Sequence, residues 1–279
     1  MYSQNDSLLL ETENQTNKSL SEIFSVADKY FTEQNYKMAI VEYERCFYNS
    51  TSREISYHAL KQKALSYKLL GDYLESALTL ERLAIEYEDY YQIALCYYLS
   101  NNFAKTIETI TKCELYFDTI QENILLLKVL ALNEVNNYKD AQLTAEELAN
   151  RVKSTLGKDI KPLIDSLYSD LPKLKSERIA TKLAYFPPLA HFYANQYANG
   201  LIALGLNAIA LGFGVWQIVD KCYLTAYIVG FGALTNTYPG TKANGVQQVK
   251  KYNYKKTRQF NDNFKQTLLQ RLQDDILSK

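Results

Sequence analysis

The chain has 279 residues with 31 basic and 31 acidic side chains, a length that predicts two domains. Its zero net charge hides an asymmetry, because residues 1–176 carry 19 Lys and Arg against 26 Asp and Glu, whereas residues 177–279 carry 12 against 5. The positive charge flanks apolar segments instead of forming a stripe on a folded domain, which argues against a nucleic-acid partner and favours anionic lipid.

The first segment, 1–19, is polar and aperiodic apart from Leu8, Leu9 and Leu10, and we predict that it is flexible. It lacks the apolar core of a complete signal peptide. Two interpretations stand side by side: the MYSQNDS sequence is the remnant of a longer bacterial signal sequence, or it is a plain N-terminal segment.

A repeated helical pattern runs over residues 20–150 in four copies, each anchored on an aromatic residue. The anchors are Tyr36, Tyr73, Phe103 and Tyr138, with spacings of 37, 30 and 35 residues. Nine residues before the anchors stand Ala27, Ala64, Ala94 and Val129, where a small side chain would let two helices cross closely. Two residues before the anchors stand Gln34, Gly71, Asn101 and Asn136. Glycine and asparagine at this point predict a left-handed residue that ends the helix.

This pattern resembles the tetratricopeptide (TPR) repeat family, most specifically in the second copy, YKLLGDYLESALTLERLA. The resemblance implies an all-α solenoid of about four stacked helix pairs whose concave face binds a protein or peptide. The chain departs from the family at the proline that closes each repeat, which all four copies lack. A helical connector is expected at 151–176, where Gly157 and Pro172 interrupt the pattern.

Tyrosine is abundant, with 24 residues in the chain. Those at repeat positions are expected to bury the ring and keep the hydroxyl at the rim of the core. Four further tyrosines either pack in the same way, which we favour, or line a groove for a peptide partner. They are Tyr87, Tyr90, Tyr91 and Tyr98.

The stretch Leu183–Thr241 has the composition of a membrane segment, because its only charged residues are Asp220 and Lys221 and it holds seven of the ten glycines. We predict a module at 177–245 in which a membrane-spanning helix at about 200–219 and a second apolar segment at 222–235 form an antiparallel hairpin. The alternative is a soluble all-α domain in which the same hairpin is a buried core.

Small residues recur along the hairpin and are expected to let the two helix backbones approach closely. The candidate packing residues are Gly200, Gly205, Ala208, Gly212, Gly214, Gly230 and Gly232. The segment PPLAHFYANQYANG, through Pro187, Tyr193 and Gly200, resembles the P-G-x-G-x-x-Y-x-G opening of TM2-like two-helix membrane modules attached to bacterial repeat proteins. The resemblance implies membrane association without a defined chemistry, and it makes residues 238–240 a turn.

The last segment, 246–279, is predicted to be a basic amphipathic helix. Five positive charges within nine residues are candidate contacts for lipid headgroups, with a solvated polar face as the alternative. They are Lys250, Lys251, Lys255, Lys256 and Arg258. Basic residues on both sides of the hairpin predict cytoplasmic ends, whereas a signal-peptide remnant would place the repeats in the periplasm, the side that we favour.

No catalytic constellation is found in the sequence. The two histidines lie in different domains, G-x-S-x-G, phosphate-loop and H-E-x-x-H motifs are missing, and four single cysteines predict buried free thiols without a metal or cofactor. We therefore predict a non-enzymatic, membrane-anchored TPR adaptor that binds a protein or peptide at a bacterial cell envelope. The alternative is a membrane-embedded assembly or transport factor, which a polar cluster of Asn195, His191 and Asn207 facing one cavity would favour.

Overall fold

The computed structural model describes residues 22, 24–83, 86–157 and 159–277, and within these ranges all regular secondary structure is helical. The predicted all-α class is confirmed, whereas the segment 1–19 lies outside the described residues. The chain divides into two compact units between Ile164 and Asp165. This division falls inside the stretch assigned above to a connector.

The first unit is a succession of helices in which each one from α2 onward packs against the next. In chain order they are α1 (24–32), α2 (Tyr36–Asn49), α3 (Arg53–Leu69), α4 (Tyr73–Leu80, followed by a 3₁₀ turn at Glu81–Leu83), α5 (Tyr87–Leu99), α6 (Phe103–Tyr116), α7 (Glu122–Glu134) and α8 (Tyr138–Leu156). Helix α9 (Lys161–Ser169) crosses the division between the units.

Four helix ends in the first unit share one turn with a left-handed central residue. The φ angle is 60° at Gln34, 79° at Gly71, 59° at Asn101 and 60° at Asn136. The amide after each of these residues bonds to a carbonyl five residues earlier, for example from Asp72 to Tyr67 at 2.9 Å, which is the Schellman pattern. The conformation predicted for the glycine and the two asparagines is confirmed, and Gln34 adopts it as well.

The small residues of the repeat pattern are buried where neighbouring helices cross. Ala64 on α3 and Ser76 on α4 are in direct contact, because the Ser76 hydroxyl donates to the Ala64 carbonyl at 2.8 Å. Both belong to the interior of the first unit, where Ala64 packs in one apolar cluster with Ile93 and Tyr97. A larger side chain at either position would push the two helices apart.

The cysteines follow the prediction with one exception. Cys46, Cys96 and Cys113 are buried free thiols, and burial raises the pKa of Cys46 and of Cys113 to about 11. Cys222 is exposed, so the prediction of burial is wrong there. The reason is its place in a helix-to-helix turn, immediately after Lys221.

The second unit is built on a long helix that is contacted by three shorter ones and a π-helical segment. Its elements are α10 (Glu177–Leu183), α11 (Leu189–Tyr193), α12 (Tyr197–Val219), α13 (Tyr223–Thr225), a π-helical segment (Ala226–Phe231) and α14 (Gly232–Leu277). The predicted turn at 238–240 is wrong, because Pro239 lies inside α14. Contacts of α14 with α10, α11 and α12 compensate for the hydrogen bond that the proline cannot donate.

Candidate functional site

The tyrosines proposed to line a groove in the first unit belong mainly to its packing. Tyr98 is 7% exposed, with its ring 5.4 Å from that of Phe103, so its assignment to a groove is wrong. Tyr87 is held by the amide of Gln121, which donates to its hydroxyl at 2.8 Å, and burial raises the pKa of Tyr87 to about 12. Tyr91 is partly buried.

Tyr90 is the member of this set that adjoins exposed apolar surface. Its ring lies 5.9 Å from that of Tyr116, and Tyr116 and its neighbour Leu115 are among the most exposed large apolar side chains of the first unit. Exposed apolar side chains grouped in this way are typical of interaction surfaces. We refer to Tyr90, Leu115 and Tyr116 as the aromatic patch.

A buried polar network joins α3 to α5. The Asp89 carboxylate is 1% exposed; it accepts the Tyr57 hydroxyl at 2.8 and 2.9 Å and lies 3.3 Å from the Lys61 ammonium. It also accepts a hydrogen bond from the Glu86 amide at 3.0 Å, as part of a capping box at the start of α5. Burial, reinforced by Asp89, raises the pKa of Tyr57 to about 12. No local sequence pattern indicates this network, because Tyr57 and Asp89 are 32 residues apart in the chain.

In the second unit, the backbones of α12 and the π-helical segment approach closely at Gly214 and Gly230. A Cβ atom added to Gly230 would lie 2.5 Å from the Gly214 Cα, too close without a backbone shift. The reverse addition at Gly214 would meet the Gly230 Cα at 3.5 Å, an ordinary contact. Gly230 therefore sets this close approach, which is of the kind that packs helices in lipid.

The other predicted packing residues have different surroundings. Gly200 packs on α11, since an added Cβ would lie 2.5 Å from the Phe192 ring. Open space surrounds Gly205 and Gly212, Gly232 has only the Tyr227 carbonyl at 4.0 Å, and Ala208 is exposed. These four residues lie away from the contact between Gly214 and Gly230. On α12 the buried residues follow a different stripe, Gly200, Ala203, Asn207 and Ala210.

Most large apolar side chains of α12, α13 and the π-helical segment are exposed. Ile209 on α12 and Leu224 on α13 are 72% and 74% exposed, and in the most apolar 18-residue window of α12 only 17% is buried. Among the described residues one helix, Tyr197–Val219, is long and apolar enough to cross a membrane. Its 23 residues give a length of about 35 Å, against a hydrocarbon core of about 30 Å.

No protein-family model and no curated protein matches this chain. The second unit brings together a polar cavity, a basic pocket and exposed apolar side chains.

The polar cavity lies between α12 and α14 and has a volume of about 340 Å³. It is lined by His191, Asn199, Ile202, Ala203, Leu206, Asn236, Thr237, Gly240, Thr241, Asn244 and Gln248. His191 is 3% exposed, and its Nδ1 has no hydrogen-bond partner among the residues that the structure describes. Asn207 lies beside the cavity and bonds two of its threonines, donating to Thr241 at 3.1 Å and accepting from Thr237 at 3.3 Å.

The third residue of the predicted polar cluster lies elsewhere. Asn195 accepts from the Lys175 ammonium at 2.8 Å and lines a separate pocket of about 450 Å³. The structure therefore brings His191 and Asn207 to one cavity and leaves Asn195 out of it. Asn195 has instead a φ of 60° and forms the left-handed turn before α12.

The five basic residues predicted to contact headgroups are all exposed on α14. Two of them have acidic neighbours: Lys250 lies 3.7 Å from Glu177, and Arg258 lies 3.6 Å from Asp262. Lys251, Lys255 and Lys256 line the pocket that Asn195 also lines. The sequence indicated the charge, but not that the residues just before α12 would line a pocket together with these three lysines.

Proposed function

We propose that this chain is a non-enzymatic, membrane-anchored adaptor in which a TPR-type solenoid binds a protein or peptide at a bacterial cell envelope. The observation that carries the proposal is the exposed apolar face of the hairpin, because water would penalise it and lipid would not. The first unit supports the TPR-type assignment through its four repeated turns and buried small residues. The aromatic patch is the surface that we assign to the partner.

The anchor is tested by carbonate extraction of the full chain from membranes. Ile209→Lys with Ile228→Lys places two charges on exposed hairpin positions, each expected to cost about 3 kcal/mol of insertion. We expect the wild type to stay in the membrane pellet and the double variant to be released. The matched control, Tyr48→Lys with Leu143→Lys, changes exposed apolar residues of the first unit and should stay in the pellet. Release of the wild type would refute the anchor.

Membrane crossing is tested by labelling Cys222, the exposed cysteine in the turn of the hairpin. All four cysteines lie in the described ranges, and the other three are buried. A membrane-impermeant maleimide should reach Cys222 only from the side opposite to the first unit, and Cys222→Ser should abolish the signal. Labelling from the same side as the first unit would show that the hairpin does not cross the membrane.

The aromatic patch is tested by crosslinking in membranes, with the full chain carrying Leu115→Ser and Tyr116→Ser. We expect this variant to lose the proteins that crosslink to the wild type. Tyr48→Ser removes an equally exposed ring from α2 and should keep them. Equal crosslinking in both variants would contradict the assignment of the partner to this surface.

A second function, that of a membrane-embedded transport factor, is favoured by one observation: the unpartnered Nδ1 of His191 beside the polar cavity. The test is release of a neutral polar solute, glycerol, from proteoliposomes that contain the full chain. If the chain is an adaptor, glycerol should leave these proteoliposomes at the same rate as it leaves liposomes without protein. Faster release that His191→Leu abolishes would favour transport instead.

A further inference from the structure

We infer that the second unit holds a specific site for the phosphate of an anionic phospholipid headgroup, in the pocket formed by α14 and the residues that precede α12. This inference rests on the proposed membrane anchor and names the lipid chemistry that the anchor recognises. The pocket measures about 450 Å³, room for a headgroup. Its lining consists of Ala194, Asn195, Gln196, Gln248, Lys251, Tyr252, Lys255, Lys256 and Gln259.

The first argument is charge. Three lysines line the pocket, Lys251, Lys255 and Lys256, and no Asp or Glu is among its lining residues. None of the three makes an ion pair within the part of the chain that the structure describes. Lys251 and Lys255 are four residues apart on α14, a spacing at which like charges destabilise a helix, and a bound anion would offset that repulsion. The lysine side chains therefore point to an anionic ligand.

A fourth positive charge stands at the edge of the pocket. The Lys175 ammonium donates to Asn195 at 2.8 Å and to the Tyr193 carbonyl, and it lies 4.4 Å from the centre of the Tyr252 ring. Asn195 and Tyr252 both line the pocket. Lys175 is held in place by these contacts, so its charge acts on the pocket from a fixed position.

The start of α12 lies at the edge of the pocket, since its N-cap Gln196 is among the lining residues. Gln196 is the N-cap of α12 and its side chain makes no capping hydrogen bond, so the first amides of this 23-residue helix lack a side-chain acceptor. Such a helix start favours phosphate groups. Residues 197–199 follow Gln196 directly, so the positive end of the helix dipole adds to the charge of the lysines at the edge of the pocket.

The position of the pocket decides between a lipid and a soluble phosphate compound. It lies at the beginning of the membrane-type helix, where Tyr197 and Leu201 are exposed in the first turns. Headgroup phosphates would lie at this level if α12 spans the bilayer. The chemistry of the site is shared with soluble phosphate esters, and the experiment separates the two sources.

The test uses the purified full chain in a zwitterionic detergent, with the midpoint of thermal unfolding followed as ligand is added. The ligands are short-chain phosphatidylglycerol, phosphatidylcholine with the same acyl chains, and glycerol 3-phosphate. We expect phosphatidylglycerol alone to raise the midpoint in a saturable way. Lys251→Gln with Lys255→Gln and Lys256→Gln should lower the apparent affinity roughly 100-fold. The control, Lys37→Gln with Lys139→Gln and Lys161→Gln, removes three exposed lysines of the first unit and should keep the affinity.

Equal effects of the two lipids, or an unchanged affinity in the triple variant, would overturn the inference. If glycerol 3-phosphate binds as tightly as phosphatidylglycerol, the ligand is a soluble phosphate ester and its assignment as a lipid is refuted. If the triple variant fails to fold, the inference is tested with the single variant Lys255→Gln and with the comparison of the two lipids on the wild type. Carbonate extraction of the same proteins tests the membrane anchor independently of the lipid site. A protein that stays in the membrane but shows no lipid selectivity would refute the lipid site and leave the anchor standing.

Discussion

The helix junction at Asn101 in the first unit and the junction at Lys221 in the second have the same backbone geometry. The left-handed residue has a φ of 59° in one and 60° in the other. The amide that follows it donates to the carbonyl five residues earlier at 2.8 Å in both, from Asn102 to Tyr97 and from Cys222 to Gln217. An aromatic residue comes next in each case and begins the following helix.

What surrounds the two junctions is opposite in character. Before and after Asn101, the helices bury Ile93 and Ile110; around Lys221, they leave Ile218 and Leu224 exposed. The comparison teaches that the turn depends on a few local residues and carries no information about the environment. The environment is indicated by the helix faces, which are covered by protein in one unit and, under our proposal, by lipid in the other.

The largest effect should come from the buried polar network of the first unit. Asp89→Ala would leave the Tyr57 hydroxyl and the Glu86 amide without their acceptor, at a cost of about 3 kcal/mol in the free energy of unfolding. Urea unfolding followed by circular dichroism measures the loss. Trp216 is the single tryptophan and lies on α12, so its fluorescence should keep its midpoint.

The control for this prediction is Glu108→Gln on α6. Glu108 pairs with Lys105 and Lys112 at 2.9 Å, and all three are exposed, so the change should cost no more than about 0.5 kcal/mol. If both variants lost the same free energy of unfolding, burial would not be the reason why the Asp89 network is important. A shift of the Trp216 transition in Asp89→Ala would contradict the separation of the two units.

A smaller effect, confined to the second unit, is expected at the glycine contact. Gly230→Ala should destabilise the hairpin by about 2 kcal/mol, because the new Cβ collides with the Gly214 backbone. Gly214→Ala should cost much less, since its Cβ finds an ordinary contact. Gly212→Ala, with open space around it, is the control and should be neutral. Trp216 fluorescence during unfolding in detergent measures the stability of the three variants. An equal loss of stability in all three would refute the importance of the contact between Gly214 and Gly230.

The sequence predicts those parts of the fold that depend on neighbours in the chain. The turns at Gly71 and Asn136 need only a residue that tolerates φ > 0 and a helix on either side, so the repeat pattern located them. A turn at Asp220 and Lys221 was predicted from the short gap between the two apolar segments, although its left-handed residue was not. The turn at Asn195 was missed. Six residues before the four anchors the repeats have Tyr30, Tyr67, Tyr97 and Leu132. His191 and Gln217 stand at that position in the second unit, so the repeat signature does not match there.

The parts that depend on distant contacts could not be predicted. Pro239 signals a break locally, yet α14 continues through it because three other helices pack along its length. Gly245 fits against Ala190, which an added Cβ would approach to 2.8 Å, although nothing in the local sequence marks that contact. The polar cavity and the basic pocket also depend on pairing α14 with residues about 50 positions earlier, and periodicity cannot supply that pairing.

The smallest effect tests whether the two units really share one turn. Lys221 and Gln34 both have a φ of 60°, a conformation that costs a non-glycine residue about 1 kcal/mol. Lys221→Gly and Gln34→Gly should therefore each stabilise their own unit by up to about 1 kcal/mol, and Gly71→Ala should destabilise the first unit by a similar amount. Lys221→Gln removes the charge without relieving the backbone and should give no gain. If Gln34→Gly stabilises but Lys221→Gly does not, the junction of the hairpin is governed by its surroundings and the comparison between the units fails.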